Sequence, residues 1–155
     1  MTRAYVGLGG NLGDREGLIR RALVLLAERS RIEVLLVSSL RETDPVGYLD
    51  QPRFLNGVAM VETSLPAPAL LEELLAVERA LGRTRNGHRN GPRTIDLDLL
   101  LYGDLVVDER GLTLPHPRLH ERAFVLEPLV ELDPKLEIPG RGTVSELLAE
   151  LHSAA

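Results

Sequence analysis

The chain contains no cysteine, and its aromatic content is only 3%. Without cysteine there is neither a disulfide framework nor a thiolate metal site. A sheet that bound RNA by stacking bases would need more rings than this chain has. No apolar run is long enough to span a bilayer. The opening Met1-Thr2-Arg3-Ala4-Tyr5 leads into strand-like sequence without a signal-peptide core. A cytoplasmic protein is therefore expected. Nor is there an excess of positive charge. The formal net charge of −5 predicts a surface that repels nucleic acid and anionic membranes, so any polyanion must bind at a local basic patch. No repeat, low-complexity tract or linker divides the chain. Its 155 residues predict one domain, 1–155, with a real core, and 44% apolar with 26% charged residues is ordinary for a globular protein. The lack of an obvious exposed apolar stripe points to a monomer.

Apolar periodicity predicts the elements. Ala4 to Leu8 reads as a buried strand, and Gly9 to Asp14 as a tight turn. A helix follows, with Leu18, Ala22, Leu25 and Leu26 at helical spacing. Ile32 to Glu42 reads as a second strand with Ile32, Val34 and Leu36 on one face, and Leu55 to Glu62 as a third. Pro66 to Leu81 is an amphipathic helix that stops at Gly82. Thr94 to Tyr102 is a fourth strand, and Gly103-Asp104 turns tightly into Leu105-Val106-Val107. A helix over about Arg118 to Glu127 is ended or kinked by Pro128. Thr143-Val144-Ser145-Glu146 is a capping box for a last helix. Strand, helix, strand, strand, helix, strand is the ferredoxin-like order, so the expected class is α+β with a mostly antiparallel sheet and extra C-terminal elements.

Asp96-Leu97-Asp98 carries the chemistry. Strand alternation puts both carboxylates on one face and Ile95, Leu97 and Leu99 on the other. A half-buried acid pair is unfavourable unless a cation shares it. Arg83, Arg85, Arg89 and Arg93 precede it in one short stretch. Guanidinium groups bind phosphate bidentately, and Mg²⁺ takes one or two carboxylates plus substrate phosphates. Two acids beside four arginines therefore suggest a metal ion with a nucleoside triphosphate. Glycines and asparagines give the arginine stretch the freedom that a lid over a reacting phosphate needs. The glycine-rich Gly7 to Asp14 is not a dinucleotide fingerprint, because Leu12 stands at the third glycine position, and no Lys-Ser/Thr follows as in a P-loop. Phe54 and Phe124 could stack on a flat heterocycle, and Asn56 could read its edge.

With these residues in view, Arg89-Asn90-Gly91-Pro92-Arg93-Thr94-Ile95-Asp96-Leu97-Asp98-Leu99-Leu100 resembles the motif of the 6-hydroxymethyl-7,8-dihydropterin pyrophosphokinase family. The opening Tyr5 to Gly13, Asp50 to Asn56, Leu114-Pro115-His116-Pro117 and Arg122-Ala123-Phe124 resemble the family's other segments in order, over almost the whole chain. The resemblance implies transfer of the β,γ-diphosphate of ATP to the pterin hydroxymethyl oxygen with release of AMP. It implies that Asp96 and Asp98 hold two Mg²⁺ ions and that Arg83 and Arg93 are the catalytic-loop arginines. Glu78, Arg85, Arg89, Arg93, Thr113 and His116 then match ATP positions. Thr43, Pro45, Val46, Phe54, Asn56, Asp96 and Phe124 match pterin positions. Asn90, Phe54, Asp44, Gly111 and Pro117 depart from residues of well-known members. The residues alone leave two other readings open. One is a ferredoxin-like RNA-binding module using the arginine stretch. The other is a different Mg²⁺-dependent phosphotransferase or nucleotidyltransferase with the same acid pair.

Overall fold

A computed structural model describes residues 1–44, 50–82 and 95–154. Its elements in chain order are β1 (Thr2–Gly10), α1 (Arg15–Ala27), β2 (Ile32–Val37), β3 (Arg41–Thr43), β4 (Phe54–Thr63), α2 (Ala67–Ala80), β5 (Asp96–Tyr102), β6 (Val107–Glu109), β7 (Leu112–Leu114), α3 (Ala123–Leu132), β8 (Glu137–Ile138), β9 (Gly142–Thr143) and α4 (Val144–Ala154). The main sheet runs β2-β4-β1-β5, every neighbouring pair antiparallel, with β3 also paired to β4. The fold is thus mixed helix and antiparallel sheet, as the alternation of elements predicts.

Each sheet face carries its own core. One packs Ala4, Val6, Leu8, Ala59, Val61, Leu97 and Leu99 against Ile19, Ala22 and Leu26 of α1 and Leu70, Leu74 and Val77 of α2. The other packs Tyr5, Val58, Met60, Leu100 and Leu101 against Leu126 and Leu129 of α3 and Val144 and Leu147 of α4. Each fully buried leucine contributes about 1.5–3 kcal/mol of hydrophobic stabilisation. The stripe of α1 centres on Ile19, which is fully buried, and Leu18 stands at its margin.

Several boundaries differ from the sequence expectation for local reasons. The stretch Ile32 to Glu42 forms two strands. At the break, the buried Ser38 hydroxyl accepts the Val58 N–H at 2.9 Å, in place of a backbone carbonyl. Ser39 turns outward, giving its N–H and hydroxyl to the Glu131 carboxylate of α3 at 2.8 and 2.7 Å. A register shift between Val34 and Leu36 leaves Leu36 51% exposed, off the face expected for it. After Gly103-Asp104 the chain does not return along β5: β6 starts only at Val107 and pairs with β7. Pro128 does not end α3, which runs to Leu132 with Leu126, Pro128 and Leu129 buried. Burial there outweighs the hydrogen bond that proline cannot donate. The capping box of α4 forms as read: Thr143 Oγ1 accepts the Glu146 N–H at 3.2 Å, and Glu146 Oε1 accepts the Thr143 N–H at 3.1 Å.

Glu131 ties α3 to the β2–β3 break, and the Ser39 hydrogen bonds, with Arg41 at 2.9 Å, hold its carboxyl below the usual range. A carboxylate whose pKa falls on folding contributes fully above the ordinary carboxylate range and loses that contribution as pH drops through the lowered value. Glu131→Ala is expected to cost about 1 kcal/mol at neutral pH, or about 3 °C in Tm. The difference from wild type should vanish in acid melts. An equal difference at both pH values would show that the charge is not what Glu131 contributes.

Candidate active site

The face of the sheet that carries the second core is closed by leucines at one end and open at the other. Residues directly opposite across strands point to the same side. Gly9 stands between Asn56 and Asp96, and Gly7 between Val58 and Asp98. Tyr5, Met60 and Leu101 fill the corresponding rows further down. Where those rows reach Gly7 and Gly9 the side chains stop, and a pocket begins. Thr43, Phe54, Asn56, Asp96, Asp98 and Leu100 line it from the strands, and Arg122, Phe124 and Val125 cover it from the start of α3. The sequence reading of Gly9 and Gly10 as turn residues is therefore corrected: β1 continues through them, and Gly9 belongs to the pocket floor.

The acid pair sits as alternation predicts. Asp96 and Asp98 are half-buried on the pocket side, while Leu97 and Leu99 are buried in the opposite core. Tyr5 faces Leu101 but Val6 faces Leu99, which makes Leu100 an extra residue in β5. Such bulges recur beside functional sites, where they re-aim neighbouring groups. Here the Leu100 carbonyl accepts the backbone N–H of His116 at 2.9 Å and so holds His116 beside the acids. The peptide Leu114–Pro115 just before it is cis. His116 Nδ1 accepts the Arg118 N–H at 3.3 Å. Burial first, then the Arg122 charge, lowers its pKa against an opposing pull from Asp96.

A second depression opens on the other side of the acids. Leu71, Leu75 and Glu78 of α2, Gly111, Leu112 and Thr113 of the β6–β7 hairpin, and His116 and Pro117 line it. It shares Asp96, Asp98 and His116 with the first pocket. Glu78 is 3% exposed, and its carboxylate accepts the Leu97 N–H at 2.7 Å. That N–H lies between the two acids on β5, the edge strand of the sheet among the described residues. Glu78→Leu leaves it buried without this acceptor, at a cost of about 2 kcal/mol. Activity should fall with stability, checked by Tm and turnover together; a melting curve like that of wild type would remove Glu78 from this bracing role.

The residues expected at one ligand thus come from four elements into one place. Thr43 ends β3, Phe54 and Asn56 lie on β4, Asp96 on β5 and Phe124 on α3. The Asn56 amide nitrogen donates to the Thr43 hydroxyl. Its Oδ1 lies over Gly9, 2.7 Å from where a Cβ would stand. Glu78 and Thr113 line the second depression instead, and His116 lines both. Thr113 also gives its hydroxyl to Asp108 at 3.1 Å. Arg83, Arg85, Arg89 and Arg93, with Pro45 and Val46, lie outside the described residues. Sequence reasoning missed Arg122 as a site residue. Its guanidinium lies 5.5 Å from the Phe124 ring centroid, in the range of a cation–π contact. Burial, then the Arg118 charge, lowers its pKa against the pull of Asp98 and Asp96.

Among the described residues, no group of three or more His, Cys, Asp or Glu side chains could hold a metal ion by itself. Two carboxylates without a third protein ligand fit a hard cation whose coordination is completed by water and substrate phosphates. They do not fit a structural cage. No described helix is long and apolar enough to cross a membrane.

Comparison with known proteins agrees with this geometry. Residues 5–134 match the family model for 7,8-dihydro-6-hydroxymethylpterin-pyrophosphokinase (HPPK). A Bacillus subtilis protein named 2-amino-4-hydroxy-6-hydroxymethyldihydropteridine pyrophosphokinase is 48% identical over 134 residues, 86% of this chain and 80% of its own. A Methylorubrum extorquens protein of the same name is 46% identical over 151 residues, 97% of this chain and 94% of its own. Among solved structures, a Plasmodium falciparum HPPK-DHPS with pteroate superposes with a TM-score of 0.77 at 14% identity, which speaks to fold alone. It matches over 98% of this chain, which spans only 44% of that longer one. An acid pair shared by two depressions, and sequence matches over most of the length, lead to one assignment: the chain belongs to the 7,8-dihydro-6-hydroxymethylpterin-pyrophosphokinase family.

Proposed function

We propose that the two depressions meeting at Asp96, Asp98 and His116 are the two substrate sites of this pyrophosphokinase. The enzyme transfers the β,γ-diphosphate of ATP to the hydroxymethyl group of 6-hydroxymethyl-7,8-dihydropterin and releases AMP, a step of folate biosynthesis. The observation that carries the site assignment is the sharing of the acid pair: a group handed from one ligand to the other must pass between the two depressions. The sheet order β2-β4-β1-β5, two interlocked β–α–β units, supports reading the fold as ferredoxin-like. We take it as one domain acting as a monomer.

The pterin occupies the first pocket, its ring between Phe54 and Phe124. The bond to Thr43 fixes the Asn56 amide with its oxygen over Gly9, ready to accept from a donor on the edge of the heterocycle. Pro45 and Val46 contribute to pterin binding through backbone groups. ATP occupies the second depression, near Glu78, Thr113 and His116. Asp96 and Asp98 would hold two Mg²⁺ ions, which when bound neutralise phosphate charge and polarise the acceptor hydroxyl. The hydroxymethyl oxygen, losing its proton to solvent, bonds to the β-phosphorus as the bond from that phosphorus to the α-phosphate oxygen breaks, and AMP leaves with that oxygen. Arg83 and Arg93, with Arg85 and Arg89, neutralise charge on the phosphates as it redistributes.

Nucleotide products resolve the reading. Protein, ATP and Mg²⁺ are incubated with and without the pterin and analysed by chromatography. AMP that forms only with pterin is expected. ADP would mean single phosphoryl transfer, and pyrophosphate nucleotidyl transfer; either would withdraw the assignment.

A further inference from the structure

The two strands that carry Thr43 and Phe54 end at the pocket. Thr43 and Phe54 are the last registered pair of the β3–β4 ladder, after Arg41 with Asn56 and Glu42 with Leu55. A ladder end is where strands part most easily. Here side chains continue the connection beyond the final pair. Glu42 Oε1 meets Arg15 of α1 at 2.6 Å, and Oε2 meets Arg53 at 3.1 Å. Arg53 Nε reaches Asp44 at 3.1 Å, one position past Thr43. Arg15 also donates to the Arg53 carbonyl at 2.9 Å. One carboxylate is thus gripped by two guanidiniums, from α1 and from the residue just before β4, and both strand ends are fastened to α1. Hydrogen bonding to Arg15, more than any other influence, holds the Glu42 carboxyl below its usual range.

We propose that Glu42, clasped between Arg15 and Arg53, is a positioning residue for pterin recognition. It touches no reacting atom. Its part is to keep the Thr43–Phe54 pair closed, so that the Thr43 hydroxyl stays under the Asn56 amide and the Phe54 ring stays in the pocket wall. A single exposed ion pair does little, but a network converging on one carboxylate does more. The clasp lies on the pterin side of the acids, and none of its residues lines the second depression. Its loss therefore acts on one substrate. This rests on reading the first pocket as the pterin site.

The test is steady-state kinetics with each substrate varied at saturating levels of the other. Glu42→Ala is expected to raise the pterin KM about fivefold and to leave the ATP KM and kcat within about twofold. Arg15→Ala and Arg53→Ala, which each release one side of the carboxylate, should raise the pterin KM in the same direction and by less, with the ATP KM and kcat again within about twofold. An unchanged pterin KM in Glu42→Ala, a loss spread equally over both substrates and kcat, or an unchanged pterin KM in both arginine variants would overturn the proposal. Phe54→Ala, run alongside, separates the two levels of the argument. If it raises the pterin KM and Glu42→Ala does not, the clasp alone fails; if neither moves it, the pocket assignment fails too.

Discussion

Asp96→Ala and Asp98→Ala should each lower kcat by about three orders of magnitude or more while the protein stays folded. The two halves of this expectation come from opposite faces of one strand. On the inner face Ile95, Leu97 and Leu99 are at most 5% exposed and contribute to the core beneath α1 and α2. On the outer face the acids stand opposite Gly9 and Gly7, which have no side chains to lose contact with. Removing one carboxylate therefore leaves the core packing in place. It lessens repulsion within a like-charged pair and also the attraction of that pair for Arg122, so Tm should shift little. Chemistry has no such margin. On the proposed assignment of Asp96 and Asp98 to the cations that neutralise the triphosphate, loss of either weakens that hold. Asp96→Asn and Asp98→Asn, which keep the shape, should be nearly as inactive. Chelation of divalent ions should silence the wild type, and added Mg²⁺ should restore it. Full turnover in either alanine variant, with AMP as product, would remove that residue from the metal site.

The legibility of this site followed the range of the interactions that build it. Asp96 and Asp98 could be placed on one face from sequence because a two-residue period needs only the strand itself. The capping box at Thr143 is equally local. The meeting of Thr43, Asn56, Phe54 and Phe124 depends on the register of β3 on β4 and the docking of α3, which the residues do not encode locally; the family resemblance supplied it. The Leu100 bulge was hidden for a related reason. In the unbroken apolar run Leu99 to Leu101, no polar residue marks where alternation changes phase, so both Leu100 and Leu101 can turn to the second core. Ser38-Ser39 did leave a trace, two small hydroxyl residues inside an apolar strand, and hydroxyls that bond to backbone compete with a ladder. Arg122 left none, since only the position of α3 brings it over the acids. The misreading of Gly9 has the most consequence. Glycine is ordinarily a breaker, but Gly7 and Gly9 lie two apart and so clear one face of a strand.

That cleared face gives the second large effect. Gly9→Ala should raise the KM for the pterin about a hundredfold while leaving the ATP KM almost unchanged. A Cβ at Gly9 would stand 2.7 Å from Asn56 Oδ1, closer than such atoms approach. β1 is held by ladders on both sides, so the backbone cannot retreat. The Asn56 amide must turn instead, and in turning it gives up its bond to Thr43 and the direction of its oxygen. A pocket that selects its ligand by hydrogen bonds to a polar edge loses far more from such a rotation than an apolar pocket loses from one methyl group. The second depression does not include Gly9, so the nucleotide should not sense the change. Gly7→Ala is the control, because its Cβ would meet Leu100 at an ordinary 3.5 Å and Asp98 at 3.6 Å without touching Asn56. If Gly9→Ala binds pterin as the wild type does, Asn56 does not read the ring edge. If Gly7→Ala raises the pterin KM as much, the effect belongs to loss of pocket volume and not to the amide.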